Sequence, residues 1–190
     1  MDKKEMGPHP YLFPMPVVLV GANVEGKPNY LAAAYAGVAC HEPPHVVIGL
    51  RSPSLRYTRV GIEGNNTFSL NIPSRQQMLA VDYCGIFSGR KKDKTKVFTT
   101  FYGKLGNAPM IEECPVNLEC RLAKVVPLGS HDAFFGEVAE SYADPDCLEE
   151  GSPGIKKVDP LIFEYGRRNY WSLGEWLGPS HRIGRNWRPR

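Results

Sequence analysis

The chain has 190 residues, 42% of them hydrophobic and 23% charged, enough for one ordinary domain with a full core. Its formal charge is +3, but the last ten residues hold four arginines and no acid, so the rest of the chain stands at −1. A near-neutral body argues against a nucleic-acid-binding face, and no apolar run reaches the length of a membrane span.

We expect a single domain over residues 1–180 and a basic tail at 181–190. The N-terminus, "MDKKEMGPHPYLFP", has charges but no apolar signal core, which reads as a cytoplasmic protein. Five cysteines form an odd set with no C-x-x-C pair, so neither a disulfide framework nor a zinc site is expected. His41 and His45 flank two prolines, which forbid the helical face that would pair them on a metal.

Residues 16–24, "PVVLVGANV", read as a strand, and "EGKPN" as the turn after it. "YLAAAYAGVAC" has the alanine content of a helix, but the preceding turn favours a returning strand. "HVVIGLR" at 45–51 is a third strand. Ser52-Pro53 then has the form of a helix start, with Ser as N-cap and Pro at the first helical position, and the helix runs to about Glu63. "NNTFSLNI" alternates as a strand. Ser74 and Gln77 have the spacing of a capping box and open a second helix carrying Met78, Leu79 and Ile86. "SGRKKDKTKVF" is a basic loop. Residues 116–126 alternate, with Leu118, Cys120 and Leu122 expected inward and Asn117, Glu119 and Arg121 outward. "HDAFFGEVAESY" pairs with them as a long hairpin, and "DPLIFEYG" and "RNYWSLGEW" are two late short strands. Many closely spaced strands and two short helices predict a mainly β protein, an antiparallel barrel.

One stretch asks for a chemical explanation. The strand at 45–51 runs straight into Arg51, Ser52, Ser54 and Thr58. A helix N-terminus offers free N–H groups and a partial positive charge, and a strand feeding into it makes a phosphate site. Arg51 adds a guanidinium that can grip phosphate with two hydrogen bonds. An equal reading makes Ser52 only a cap and Arg51 only a solvated strand end. Nearby, Ala32, Ala33 and Ala34 leave room for a flat ring against the backbone, and Tyr35 can stack on it. A tightly packed barrel strand also favours alanine. No Rossmann glycine fingerprint is present.

Ordered segments carry a resemblance over roughly residues 10–178: "LFPMPVVLVGA", "GKPNYLAAAYAG", "HEPPHVVIGLRSPSLRYT", "NTFSLNIPS", "DYCGIFSGRKKDK", "APMIEECPVNLECRL", "GSHDAFFGEV" and "DPLIFEYGRRNYWSLGE". The chain resembles the flavin reductase-like family of FMN-binding split barrels. The resemblance implies an antiparallel split β-barrel of Greek-key type and a homodimer with one FMN per subunit near the interface. It implies that Arg51, Ser52, Ser54 and Thr58 hold the phosphate, and that Asn29 and Ala32 to Tyr35 lie along the isoalloxazine. Lys92 is the best match for a lysine near the flavin, with Lys91 and Lys94 close enough to confuse the choice. His131 matches a flavin-contacting histidine, and Phe163 or Tyr165 an aromatic beside the cofactor. His131 and Lys92 are the catalytic candidates. The resemblance implies an oxidoreductase fed by NAD(P)H, or else a non-catalytic electron carrier that docks redox proteins.

Overall fold

The computed structural model describes residues 2–52, 57–185 and 187–188. Among them the main strands are β1 (Val18–Val24), β2 (Lys27–Ala33), β3 (Ala36–Cys40), β4 (His45–Arg51), β5 (Thr67–Ile72), β6 (Val116–Pro127), β7 (His131–Ala143), β8 (Ile162–Glu164) and β9 (Asn169–Trp171). Two longer helices interrupt them, α1 (Tyr57–Asn65) and α2 (Met78–Ile86), and a single short turn of helix (Ile155–Val158) precedes β8.

Seven strands form one antiparallel sheet in the order β2-β1-β5-β6-β7-β4-β3. Its two edges, β2 and β3, are consecutive in the chain and joined only by Ala34 and Tyr35. Two linking residues reach no more than roughly 10 Å, so the sheet must roll until its edges meet. The Gly49 N–H donates to the Tyr35 carbonyl (2.7 Å) across this junction. The result is the expected antiparallel barrel, with a seam where β2 hands over to β3. The short strands β8 and β9 form a hairpin that pairs with Met15–Pro16.

Two cores follow from strand alternation. Val18, Val20 and Ala22 of β1 point into the barrel beside Leu31, Ile48, Leu50, Phe68 and Phe134. Val17 and Leu19 point outward with Tyr30, under Val81 and Cys84 of α2, Phe98 and Ile111. Helix α1 lies on β1 so closely that a Cβ on Gly61 would run into the Asn23 carbonyl; only glycine permits that approach.

The second barrel face corrects one sequence expectation. Asn117 and Glu119 point out of the barrel as expected but are buried rather than solvated, because the segment 105–111 covers that face of β6. The capping box at Ser74 is present: its hydroxyl accepts from Gln76 N, and its own N–H donates to the Gln77 side chain. It opens a 3-10 turn (Arg75–Gln77) that continues into α2. On α2 the buried face is Val81 and Cys84; Met78, Leu79 and Ile86 face outward. The helix start at Ser52-Pro53 lies partly outside the described residues, and the first described helical residue is Tyr57.

Candidate functional site

A cavity of about 550 Å³ opens at the seam. One wall is the end of β2 and the link, Ala32 to Tyr35. The opposite wall is the end of β4, Gly49 to Arg51. Small side chains on the first wall follow from the barrel's closure, since a larger residue there would fill the space where the edges meet. On the second wall, a Cβ on Gly49 would sit 3.0 Å from that of Tyr35.

Register brings distant residues together here. In the β4–β7 pairing His131 stands opposite Arg51. The His131 ring lies 5.0 Å from that of Tyr35, and its Nδ1 shares a hydrogen bond with the Ser130 hydroxyl (3.0 Å). The Ser52 N–H donates to the Ser130 carbonyl (2.9 Å), tying the end of β4 to the start of β7. Partial burial raises the Tyr35 phenol above its ordinary pKa, and so does the Tyr165 phenol that it meets in a hydrogen bond.

The floor and mouth come from residues the sequence reading did not name. His9 and Tyr11 reach in from the N-terminal arm, and Gly166, Arg168 and Tyr170 come from the β8–β9 hairpin. Tyr11 packs edge-on to Tyr165 at 6.1 Å. The only signal for them was an aromatic in a proline-rich arm and an Arg-Arg pair in a turn. The described lining includes Arg51, Arg168, His9 and His131 and no carboxylate. Such a cavity favours an anion.

The other candidates are distributed around this cavity. Phe163 and Tyr165 line it. Asn29 and Thr58 are buried behind it and bonded to each other, the amide donating to the threonine hydroxyl (2.7 Å). They face a small hollow with Ser88 and Gly89. Ser54 lies outside the described residues. Lys91 and Lys92 line a separate hollow with Asn29 and Tyr57, away from the seam cavity. Lys94 is buried and donates to the carbonyls of Tyr30 (2.8 Å) and Cys84 (2.9 Å), tying β2 to α2. Next to the site, Arg59 of α1 is paired with Asp132 of β7 and lies 5.0 Å over the Phe134 ring. This pair fixes the start of α1 against the strand that carries His131. Asp132 Oδ1 is buried with no hydrogen-bond partner among the described residues.

A rolled antiparallel barrel with a flat-walled, acid-free cavity at its seam defines a binding protein for a planar, anionic cofactor. The chain belongs to the flavin reductase like domain family, whose model matches residues 11–172. It is similar in structure to a flavoredoxin from Methanosarcina acetivorans, with a TM-score of 0.93 and 37% identity over 97% of this chain and 98% of that one. It is similar also to the flavoredoxin of Desulfovibrio vulgaris (Miyazaki F), with a TM-score of 0.89 and 35% identity over 96% of this chain and 100% of that one. An FMN-binding protein from Thermus thermophilus, solved with 1-cyclohex-2-enone bound, has a TM-score of 0.80 at 26% identity over 94% of this chain and 99% of that one.

Proposed function

We propose that this protein binds FMN in the seam cavity and is an oxidoreductase that passes electrons through it, with NAD(P)H as donor. The observation that carries the reading is the cavity itself. It has about 550 Å³, within the roughly 300–1,000 Å³ of cofactor sites, with a flat alanine wall on one side and a guanidinium at the end of the other. The flavoredoxin likeness and the family match support the same cofactor.

The residues divide the work by position. Arg51 and Ser52, with Ser54 and Thr58, hold the phosphate where β4 gives way to α1. Asn29 orients the Thr58 hydroxyl through their hydrogen bond. Ala32 to Ala34 give the ring system a surface without projections, and Tyr35, Phe163 and Tyr165 keep water from its edge. His131 donates a hydrogen bond toward the ring edge that gains negative charge on reduction. Lys92 belongs to the phosphate side, where its hollow shares Asn29 with the site. Bound FMN supplies the hydride and electron chemistry; the chain supplies placement and charge.

The protein works as a homodimer. Leu12 and Phe13 in the N-terminal arm and Trp176 and Leu177 after β9 are exposed apolar groups that a second copy can cover. Five free thiols suit the cytoplasm, and no helix among the described residues is long and apolar enough to cross a membrane. A non-catalytic electron carrier remains the second reading, favoured by the flavoredoxin likeness.

The purified protein should be yellow, with a flavin absorption spectrum that NADH or NADPH bleaches. A colourless protein that takes up no FMN on titration overturns the cofactor. A yellow protein inert to both nucleotides but reduced by a ferredoxin-like donor assigns it to the carrier reading.

A further inference from the structure

A second hollow, of about 510 Å³, lies beside the seam cavity between α2 and the β8–β9 hairpin. The two are neighbours through a shared wall, since Arg168 and Tyr170 line both. Trp171 stands in the second hollow, 58% exposed. Its orientation is fixed, because the indole Nε1–H donates to Glu164 (3.0 Å), a carboxylate that also accepts from Asn169 (3.1 Å). A large ring held rigid at its edge, with its surface open, is a stacking platform whose ordering cost is already met within the hairpin. Met78 and Leu79 of α2 belong to the same hollow and are exposed. Asp82 completes it: its carboxylate accepts from the Tyr170 hydroxyl (3.1 Å) and keeps further acceptor capacity.

We propose that this hollow binds the adenosine diphosphate half of a dinucleotide, with the adenine between Trp171 and the Met78–Leu79 side, the pyrophosphate on Arg168 and the ribose hydroxyls on Asp82. The proposal rests on the nucleotide donor inferred above. It follows from the shared wall: a dinucleotide with its nicotinamide in the seam cavity has its pyrophosphate at the boundary, where the guanidinium stands. A guanidinium matches pyrophosphate with two N–H donors, and a carboxylate matches paired ribose hydroxyls. The same carboxylate repels a 2′-phosphate, so the site selects NADH over NADPH.

Calorimetric titration with ADP, which has no nicotinamide and no hydride to transfer, tests the hollow apart from the redox reaction. FMN-loaded protein should bind one ADP per chain. Arg168→Ala and Trp171→Ala should each weaken that binding at least ten-fold, while Trp171→Phe, which keeps a ring, retains most of it. Adenosine 2′,5′-bisphosphate should bind more weakly than ADP, and Asp82→Asn should narrow the gap. Trp171 lies outside the seam cavity, so Trp171→Ala should keep the flavin spectrum. Absence of ADP binding, or an affinity unchanged from the parent's in both alanine variants, overturns the proposal and leaves FMN binding standing. A protein that binds ADP in this pattern but takes up no FMN loses the cofactor reading and keeps the hollow.

Discussion

The two faces of the barrel treat polar side chains in opposite ways. On the outer face of β5 and β6, the buried polar side chains bond to the protein itself. The Asn71 amide donates to the Leu19 carbonyl (2.9 Å) and the Ser69 hydroxyl (3.0 Å), while its oxygen accepts from Ile111 N (3.0 Å) and Asn117 (2.8 Å). Glu119, fully buried, accepts from Leu105 N (2.8 Å) and Tyr142 (3.3 Å). At the seam, Arg51, His131 and Arg168 line a cavity, and the alanines beside them leave it open. The lesson is that one region directs its polar groups at the protein and the other lines an open cavity with them. Damage to the first should therefore cost stability, and damage to the second should cost binding.

Asn71→Leu breaks the comparison hardest. It removes four hydrogen bonds and strands the partners of a buried amide, which should cost on the order of 3 kcal/mol of stability. Urea unfolding should show the loss, while the variant that still folds keeps its FMN affinity. A melting curve like that of the parent would mean that the network is not a structural one.

Arg51→Ala is the converse. FMN binding should weaken by about 1.5–3 kcal/mol, the range for a charged hydrogen bond, with the cofactor-free protein unfolding as before. Arg51 is exposed at a strand end, so its removal opens no cavity. An unchanged dissociation constant in a fluorescence titration would remove Arg51 from the phosphate site.

Alkaline pH sharpens the contrast more gently. Burial raises the Tyr30 phenol above its ordinary range, and it raises the thiols of Cys84, Cys114 and Cys120, the last to about 12. These groups keep their protons to higher pH in the folded chain than in the unfolded one. Their contribution is whole below the unfolded values, about 8.5 for Cys and 10 for Tyr, and declines as pH rises through them. Stability measured by urea unfolding should fall steadily from about pH 8.5 upward, and Tyr30→Phe should flatten the part of the slope above pH 10. Equal slopes in the two proteins would show that Tyr30 ionises as readily folded as unfolded.

Much of this was legible in local sequence. Alternation and turn residues placed the strands around 16–24, 45–51 and 67–72, and the capping box at Ser74 marked the approach to α2, because these signals act over a few residues. The arrangement of β6 was not legible. Asn117 and Glu119 have the spacing of a solvated face, yet a distant segment, 105–111, covers them and supplies their partners. Met78 and Leu79 likewise look like core and lie outside, since Val81 and Cys84 happen to face Tyr30. At the site, Arg51 and His131 were both nameable as residues, but only the β4–β7 register sets them opposite each other. Tyr11, Arg168 and Tyr170 had only a weak signature, an aromatic in a proline-rich arm and an Arg-Arg pair in a turn, which says nothing of where they meet.

The sequence by itself determined the strands, the turns and the family, because alternation, capping and ordered segments are properties of neighbouring residues. The closure of the barrel was decided only in three dimensions: two residues between opposite edges of a seven-stranded sheet force the edges together. That closure created the cavity, chose its lining from six separate parts of the chain, and, among the described residues, left the acids outside it.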